Sequence, residues 1–260
     1  MEVSDRHMYE SCPLCDGTDI KKFNEADCSN HPLFQAGLNP KMIWVICSGC
    51  KHVFTNGYFT DEANKIIFSR THPHQSVGHE MEKNRILASM LVDRVVPYAK
   101  DGVWMDVGFG NGALLFTAME YGFDPIGVDL RQDCVDAMKK IGIKAHCQDV
   151  ATLELSSKCR VVSLMDVLEH VPFPKEFLRA IAEKLEDNGV LLVSCPNSGS
   201  LLWDYLTGTG TNPYWGEIEH FHNFSRQRLY SLLEEVGFTP QSFGVSQRYR
   251  AGMEIVATKS

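Results

Sequence analysis

Two clusters of residues in this chain have the types and spacing to do chemistry. The first is Asp106-Val107-Gly108-Phe109-Gly110-Asn111-Gly112, an acid followed by three alternating glycines. Glycine has no Cβ, so such a turn lets the backbone come close to a ligand. An acid just ahead of it can hold a polar or cationic group. The second cluster is Cys12-Pro13-Leu14-Cys15 with Cys47-Ser48-Gly49-Cys50, two C-x-x-C pairs with 31 residues between them. A two-residue spacer lets both thiolates of a pair face one ion, and two pairs complete a tetrahedral set of four sulfurs that favours zinc. Four thiolates leave no open position, so this zinc would be structural. Gly17 and Gly49 are expected to allow tight turns around the cysteines. A redox reading would need a βαβ setting, which the first 60 residues do not offer. Cys28, Cys134, Cys147, Cys159 and Cys195 have no partner spacing and read as core or surface thiols, with Cys28 or His31 a lesser alternative as substitute ligand.

Further acids extend the first cluster. Asp129 ends the run Ile126-Gly127-Val128-Asp129 and can accept two hydrogen bonds from a ribose diol, as nicotinamide dinucleotides and S-adenosylmethionine both require. In Cys147-Gln148-Asp149-Val150, Asp149 can accept from an adenine amino group while the Val150 backbone serves the ring. The glycine turn alone also fits the relaxed dinucleotide pattern. Asp106, two residues before the first glycine, would repel a pyrophosphate and suits the amino-acid end of a cofactor instead.

These residues need strand ends to carry them. The pattern predicts strands near 103–107, 125–129, 143–147, 160–165 and 189–194, alternating with helices near 113–121, 132–140 and 174–187, the last with Gly189 at its C′ position. A helix over 80–96 precedes them and is stopped by Pro97. A further helix starts from Ser225 as N-cap and ends at Gly237, followed by strands at 238–245 and 251–258. Such alternation predicts an α/β fold: a seven-stranded, mostly parallel sheet with helices on both faces, behind a small N-terminal zinc ribbon. The expected domains are the ribbon (1–60), a polar linker (61–79) containing His72, His74 and His79, and the α/β domain (80–260). Within the last, residues 196–224 carry Trp203, Tyr205, Tyr214, Trp215, Phe221 and Phe224 among glycines. They are read as a substrate lid, with a docked surface loop the plainer alternative.

The net charge of −8 argues against a nucleic-acid partner, and Lys21, Lys22, Lys41 and Lys51 of the ribbon are offset by Asp16, Asp19, Glu25 and Asp27. A hydrophobic share of 44% supports a sizeable core. No apolar run reaches the roughly 18 residues of a membrane span, and the first residues lack a signal-peptide layout, so a cytoplasmic protein is expected.

Asp106-Val107-Gly108-Phe109-Gly110-Asn111-Gly112 resembles motif I of the class I S-adenosylmethionine-dependent methyltransferases. Met165-Asp166-Val167-Leu168-Glu169-His170-Val171-Pro172 resembles the LEH segment of their ubiquinone-biosynthesis-type branch, as does Glu219-His220-Phe221-His222-Asn223-Phe224-Ser225. The cysteine pairs resemble a zinc-binding module found on some small-molecule and sugar methyltransferases. The resemblance implies a Rossmann-like fold with S-adenosylmethionine as cofactor. It implies that Asp106, Gly108, Gly110 and Gly112 line the methionine and ribose portion, and that Asp129 holds the ribose hydroxyls with Leu130 against the adenine. Asp149 and Val150 would bind the adenine edge, and Met165 would lie near the methionine moiety.

Methyl transfer is an in-line displacement, so positioning does much of the work, and a hydroxyl or carbon acid also needs a base. His170, His220 and His222 are the candidates, His170 having a site-shaping role as its alternative. Met165-Asp166-Val167-Leu168 is not Asn-Pro-Pro-Tyr, so the resemblance to exocyclic-amine methylases stops there. The expected acceptor is a small molecule such as a sugar nucleotide, a secondary metabolite or a quinone-like phenol, methylated on O, C or N. The competing readings are an RNA or protein methyltransferase that recognises its target with the ribbon, a nicotinamide-dependent oxidoreductase, and a non-catalytic adaptor.

Overall fold

The computed structural model describes residues 5–67, 75–249 and 251–260. The chain divides into two compact units. The ribbon unit takes residues 1–71, 169–175 and 196–229, and the sheet unit takes 72–168, 176–195 and 230–260. His72 and His74 of the expected linker lie outside the described residues. Labels below run in chain order through both units.

The ribbon unit contains β1 (Arg6–Met8), β2 (Ile20–Asp27), β3 (Lys41–Cys47), β4 (Val53–Thr55), β5 (Gly57–Phe59) and α1 (Asp61–Ile67). It also holds α6 (Leu201–Gly208), a short 3-10 turn (Pro213–Gly216) and β11 (His222–Asn223) from the far end of the chain. A four-stranded sheet runs β11-β4-β3-β2, and β1 pairs with β5. In β3 the apolar run Met42-Ile43-Trp44-Val45-Ile46 makes a mostly buried strand, whereas edge strand β2, rich in charge, stays largely open. The pattern predicts no strand at β2, whose apolar residues Ile20, Phe23 and Ala26 fall at every third position and do not alternate, and α1 forms where a polar linker is expected.

The sheet unit contains α2 (Met81–Val95), β6 (Val103–Val107), α3 (Ala113–Glu120), β7 (Asp124–Asp129), α4 (Gln132–Lys140), β8 (Lys144–Cys147) and β9 (Cys159–Met165). It continues through α5 (Pro174–Lys184), β10 (Leu185–Pro196), α7 (Arg226–Glu235), β12 (Phe238–Val245) and β13 (Gly252–Lys259), some of whose ends fall in the other unit. The seven strands lie in the order β12-β13-β10-β9-β6-β7-β8. Pairings β10–β9, β9–β6, β6–β7 and β7–β8 are parallel, and β12–β13 is antiparallel. Central strands are covered on both faces, which is why Val103-Trp104-Met105-Asp106-Val107 reads as a continuous buried run. One core layer gathers Leu91, Val92, Val95, Trp104, Val161 and Leu192, and a second gathers Phe109, Leu115, Val135, Met138 and Ile143.

Helix α5 ends at Lys184, three residues before the expected 187. β10 begins at once, and its register shifts between Leu185 and Val190, where the left-handed residue is Asn188 (φ 58°), not Gly189. Asparagine tolerates that region because its short amide can bond locally. Ser225 caps α7 as expected, its Oγ accepting the Arg228 N–H at 3.2 Å. No helix among the described residues is long and apolar enough to cross a membrane.

Candidate functional site

The parallel register pairs Asp106, the penultimate residue of β6, with Gly127, two residues before Asp129 at the end of the adjacent β7, and sets Cys147 of β8 opposite Asp129. The glycine turn leaves β6 with Gly108, Gly110 and Gly112 all at positive φ (67°, 55° and 81°). A Cβ on Gly108 would meet Val167 at 2.9 Å, and one on Gly112 would meet Met138 at 2.7 Å. A Cβ on Gly110 would touch nothing closer than 3.9 Å, so there the side-chain space is open. The N–H of Gly108 donates to Val128 O, stitching the turn to β7.

Asp106 is only 3% exposed. Ser163, its register neighbour on β9, donates to its Oδ1 at 2.6 Å and itself accepts from Trp104 Nε1 at 2.9 Å. Burial pushes the Asp106 carboxyl up to about 7, against the pull of the Ser163 hydrogen bond and the Arg248 charge. Asp129 is also buried, and Arg131 grips it through Nε and Nη2. Leu130 stands 76% exposed beside it. Asp149 is exposed and accepts the Ala151 N–H at 2.8 Å, while Val150 is buried. Met165 is half-buried at the end of β9, in register with Ser194 of β10.

Two polar residues of this edge, Ser194 and Arg248, carry no signal in the sequence pattern, and a third, Asp166, figures there only within the LEH segment. Asp166 follows Met165 in a left-handed conformation (φ 57°), a strained backbone for a non-glycine residue. Its carboxylate accepts from Ser194 Oγ (2.7 Å) and from Arg248 Nη2, which also donates to Ser194 at 3.0 Å. Arg248 comes from the β12–β13 loop, 82 residues away, and no local spacing announces it.

The three candidate histidines lie in the ribbon unit and differ sharply. His222 is fully buried; its Nε2–H donates to Val171 O (2.9 Å), so its Nδ1 accepts from His52 Nε2–H (2.9 Å). Both ring nitrogens are thus occupied, and burial pushes its pKa down to about 4. A base needs a free lone pair, and His222 has none to offer. His220 is 9% exposed, its Nδ1 is buried without a hydrogen-bond partner, and burial holds its pKa well below the usual histidine range. His170 is half-buried, and its Nδ1–H donates to Glu219 O at 3.0 Å, which fixes the tautomer and leaves Nε2 as the acceptor. Its ring meets that of His220 edge-on at 4.7 Å.

Among the described residues, two groups of donor atoms could hold a metal ion. Glu169, His170 and His220 bring one donor each within 4.8 Å of one another, as do Cys12, Cys15, Cys47 and Cys50. In the cysteine group, Cys12–Cys50 and Cys15–Cys47 sulfurs are 3.6 Å apart. A tetrahedral zinc with bonds of about 2.3 Å needs sulfurs about 3.8 Å apart, so the set fits. The knuckles match each other: Asp16 N–H returns to Cys12 O, and Lys51 N–H to Cys47 O. The left-handed residues are Asp16 (φ 58°) and Lys51 (φ 62°), not the glycines. Gly17 matters through its missing Cβ, which would press on the Cys47 and Cys15 sulfurs at 3.3 and 3.4 Å. His31 is engaged elsewhere, Nε2 with Glu217 at 2.8 Å and Nδ1 with the Leu33 N–H.

The aromatic insertion is built into the ribbon unit. Trp215 packs edge-on against Trp44 and Trp203, and its carbonyl accepts from Trp44 Nε1 at 2.8 Å. Trp203, Tyr214, Trp215, Phe221 and Phe224 are buried, and Tyr205 is 67% exposed.

Comparison with known proteins bears on all of this. A family profile described as the methyltransferase domain matches residues 79–242. The ubiquinone biosynthesis O-methyltransferase of Coxiella burnetii is 29% identical over 100 residues, which cover 36% of this chain and 43% of that protein. The match thus spans less than half of that relative's length. Among solved structures, the magnesium protoporphyrin IX methyltransferase of Synechocystis, with bound SAH, is similar with a TM-score of 0.51 at 19% identity, over 68% of this chain and 83% of that one. The 1,6-didemethyltoxoflavin-N1-methyltransferase of Burkholderia thailandensis, solved with 1,6-didemethyltoxoflavin and S-adenosylhomocysteine, gives 0.51 at 19% identity, over 68% and 78%. At such identity these likenesses establish the shared fold.

Proposed function

The chain belongs to the methyltransferase-domain family, and from that premise we propose that it transfers a methyl group from S-adenosylmethionine to an O, C or N atom of a small molecule, such as a sugar nucleotide or secondary metabolite. The observation that carries this reading is the left-handed glycine turn at the end of β6, with acids at the ends of β6 and β7 and another just beyond β8. The small molecules named for the relatives support the acceptor class, as does the acidic balance of the chain.

In this reading Gly108, Gly110 and Gly112 admit the cofactor's methionine and ribose portion. Asp129 accepts from the ribose hydroxyls, Leu130 covers the adenine face, and Asp149 and the Val150 backbone meet its edge. Met165 borders the sulfonium. Asp106 lines the methionine and ribose portion as its acid, and a nearby ammonium would favour its ionised form. Of the three histidines, His170 is the base, because its Nε2 lone pair is held ready by the Nδ1–Glu219 hydrogen bond. His220 packs against it, and His222 holds the ribbon unit together. Cys12, Cys15, Cys47 and Cys50 hold one structural zinc. Residues 196–224 are the candidate lid, with Leu201, Leu202 and Tyr205 of α6 exposed on it.

Isothermal calorimetry with S-adenosylhomocysteine is the test. Micromolar binding at one site per chain is expected; no heat at millimolar ligand would remove the proposal. A side-by-side thermal-shift scan with NAD(H) should show no stabilisation.

A further inference from the structure

Resting on the reading of Asp129 as the ribose acid, the geometry points to Arg131 as a rival donor that a cofactor's ribose diol must partly displace, and as the residue that reports this displacement to segment 75–79 through Gln75. The count of acceptor sites carries the argument. A carboxylate offers about four lone-pair directions. Arg131 fills three of them: its backbone N–H (3.0 Å) and Nε (2.9 Å) reach Oδ1, and its Nη2 (2.7 Å) reaches Oδ2. One direction remains, on Oδ2, and a vicinal diol brings two hydroxyls. The diol and the guanidinium cannot both be fully satisfied at Asp129.

The remaining donor of Arg131 faces the other way. Nη1 lies 3.2 Å from Gln75 Oε1 and 3.4 Å from Gln75 O. Segment 75–79 is tied to the cofactor turn at a second point, where the Gly78 N–H donates to Asn111 O at 3.0 Å. Val77 packs against the core layer that contains Phe109 and Met138. One stretch of five residues therefore touches the glycine turn directly and the ribose acid through Arg131. When Arg131 yields part of Asp129, its hold on Gln75 changes with it, so binding at the strand tip alters the order of this stretch. The ion pair is well shielded, with side chains 18% and 6% exposed, so water contributes little to loosening it.

The test combines calorimetry and hydrogen exchange on the full chain, with S-adenosylhomocysteine as the probe. Arg131→Met keeps the aliphatic stem and removes the guanidinium. Its Kd should be roughly three- to tenfold lower than that of the wild type. Amide exchange at Gln75–His79 should respond to the ligand in the wild type and not in Arg131→Met. Gln75→Ala leaves the Asp129 pair intact and removes the nearer, side-chain contact to Nη1, so it should keep the wild-type Kd while weakening the exchange response. Weaker or unchanged binding by Arg131→Met, or a 75–79 segment indifferent to ligand in the wild type, overturns the rivalry while leaving the cofactor assignment standing. A wild type that binds no S-adenosylhomocysteine overturns both together.

Discussion

At Asp106 burial raises the carboxyl pKa to about 7, while Ser163 and Arg248 pull it down. A carboxyl whose folded pKa lies above its unfolded value favours the fold most below pH 3.8, and that advantage is lost as pH rises through about 7. Asp106→Asn removes the ionisation, so its stability relative to the wild type should increase between pH 4 and 8. The gain should be on the order of 3 kcal/mol at pH 8, read from urea unfolding at each pH. The histidines give a second contrast. His170→Gln should lower kcat on a hydroxyl or carbon acceptor by about 10²–10⁴ with stability little changed. His222→Gln breaks a fully buried pair and should cost about 1–3 kcal/mol of stability instead. Equal kcat losses without destabilisation would remove that division of roles.

Among the elements, the turn after β6 separates two reasons for a glycine. Gly112→Ala meets Met138 at 2.7 Å and should destabilise the fold, by about 1–3 kcal/mol. Gly110→Ala meets no protein atom closer than 3.9 Å, so it should cost only about 1 kcal/mol of stability while weakening S-adenosylhomocysteine binding tenfold or more. Thermal melts and calorimetry on both variants would tell whether the two losses separate. The turn was legible because three glycines after an acid are a local signal, and the strands of the sheet unit were legible because buried parallel strands read as apolar runs. The left-handed knuckle residues were not: Asp16 and Lys51 are ordinary polar residues in the sequence, and the conformation is imposed by the two cysteines before each. Strand β2 is not legible because an edge strand open to solvent has few apolar residues to alternate. Arg131, Arg248 and His52 are not legible in the sequence because their roles come from partners brought close by folding, and single charged or buried residues carry no period. The apolar content of 196–224 was visible, but not that five of its aromatics would be buried within the ribbon unit.

For the whole molecule, two units of different construction should answer differently to metal removal. A metal held by the four cysteines would tie together two knuckles 31 residues apart in the ribbon unit, so its removal should loosen that unit first. The preparation should hold about one zinc per chain by plasma emission. A strong chelator, or Cys47→Ser, should lower the unfolding temperature followed by Trp44 and Trp215 fluorescence. Far-ultraviolet circular dichroism from the seven-stranded sheet should persist to a higher temperature. A single coincident transition unaffected by chelator would count against a structural zinc.

The pairing of β11 with β4 joins residues 222–223 to 53–54. A ribosome releases the cysteine module early, yet the edge of its sheet and the ring that covers Trp44 are made only after most of the methyltransferase sheet has emerged. During synthesis the ribbon must therefore wait, with a tryptophan and an unpaired strand edge uncovered, and a nascent chain stalled before residue 215 would be a ready client for a chaperone.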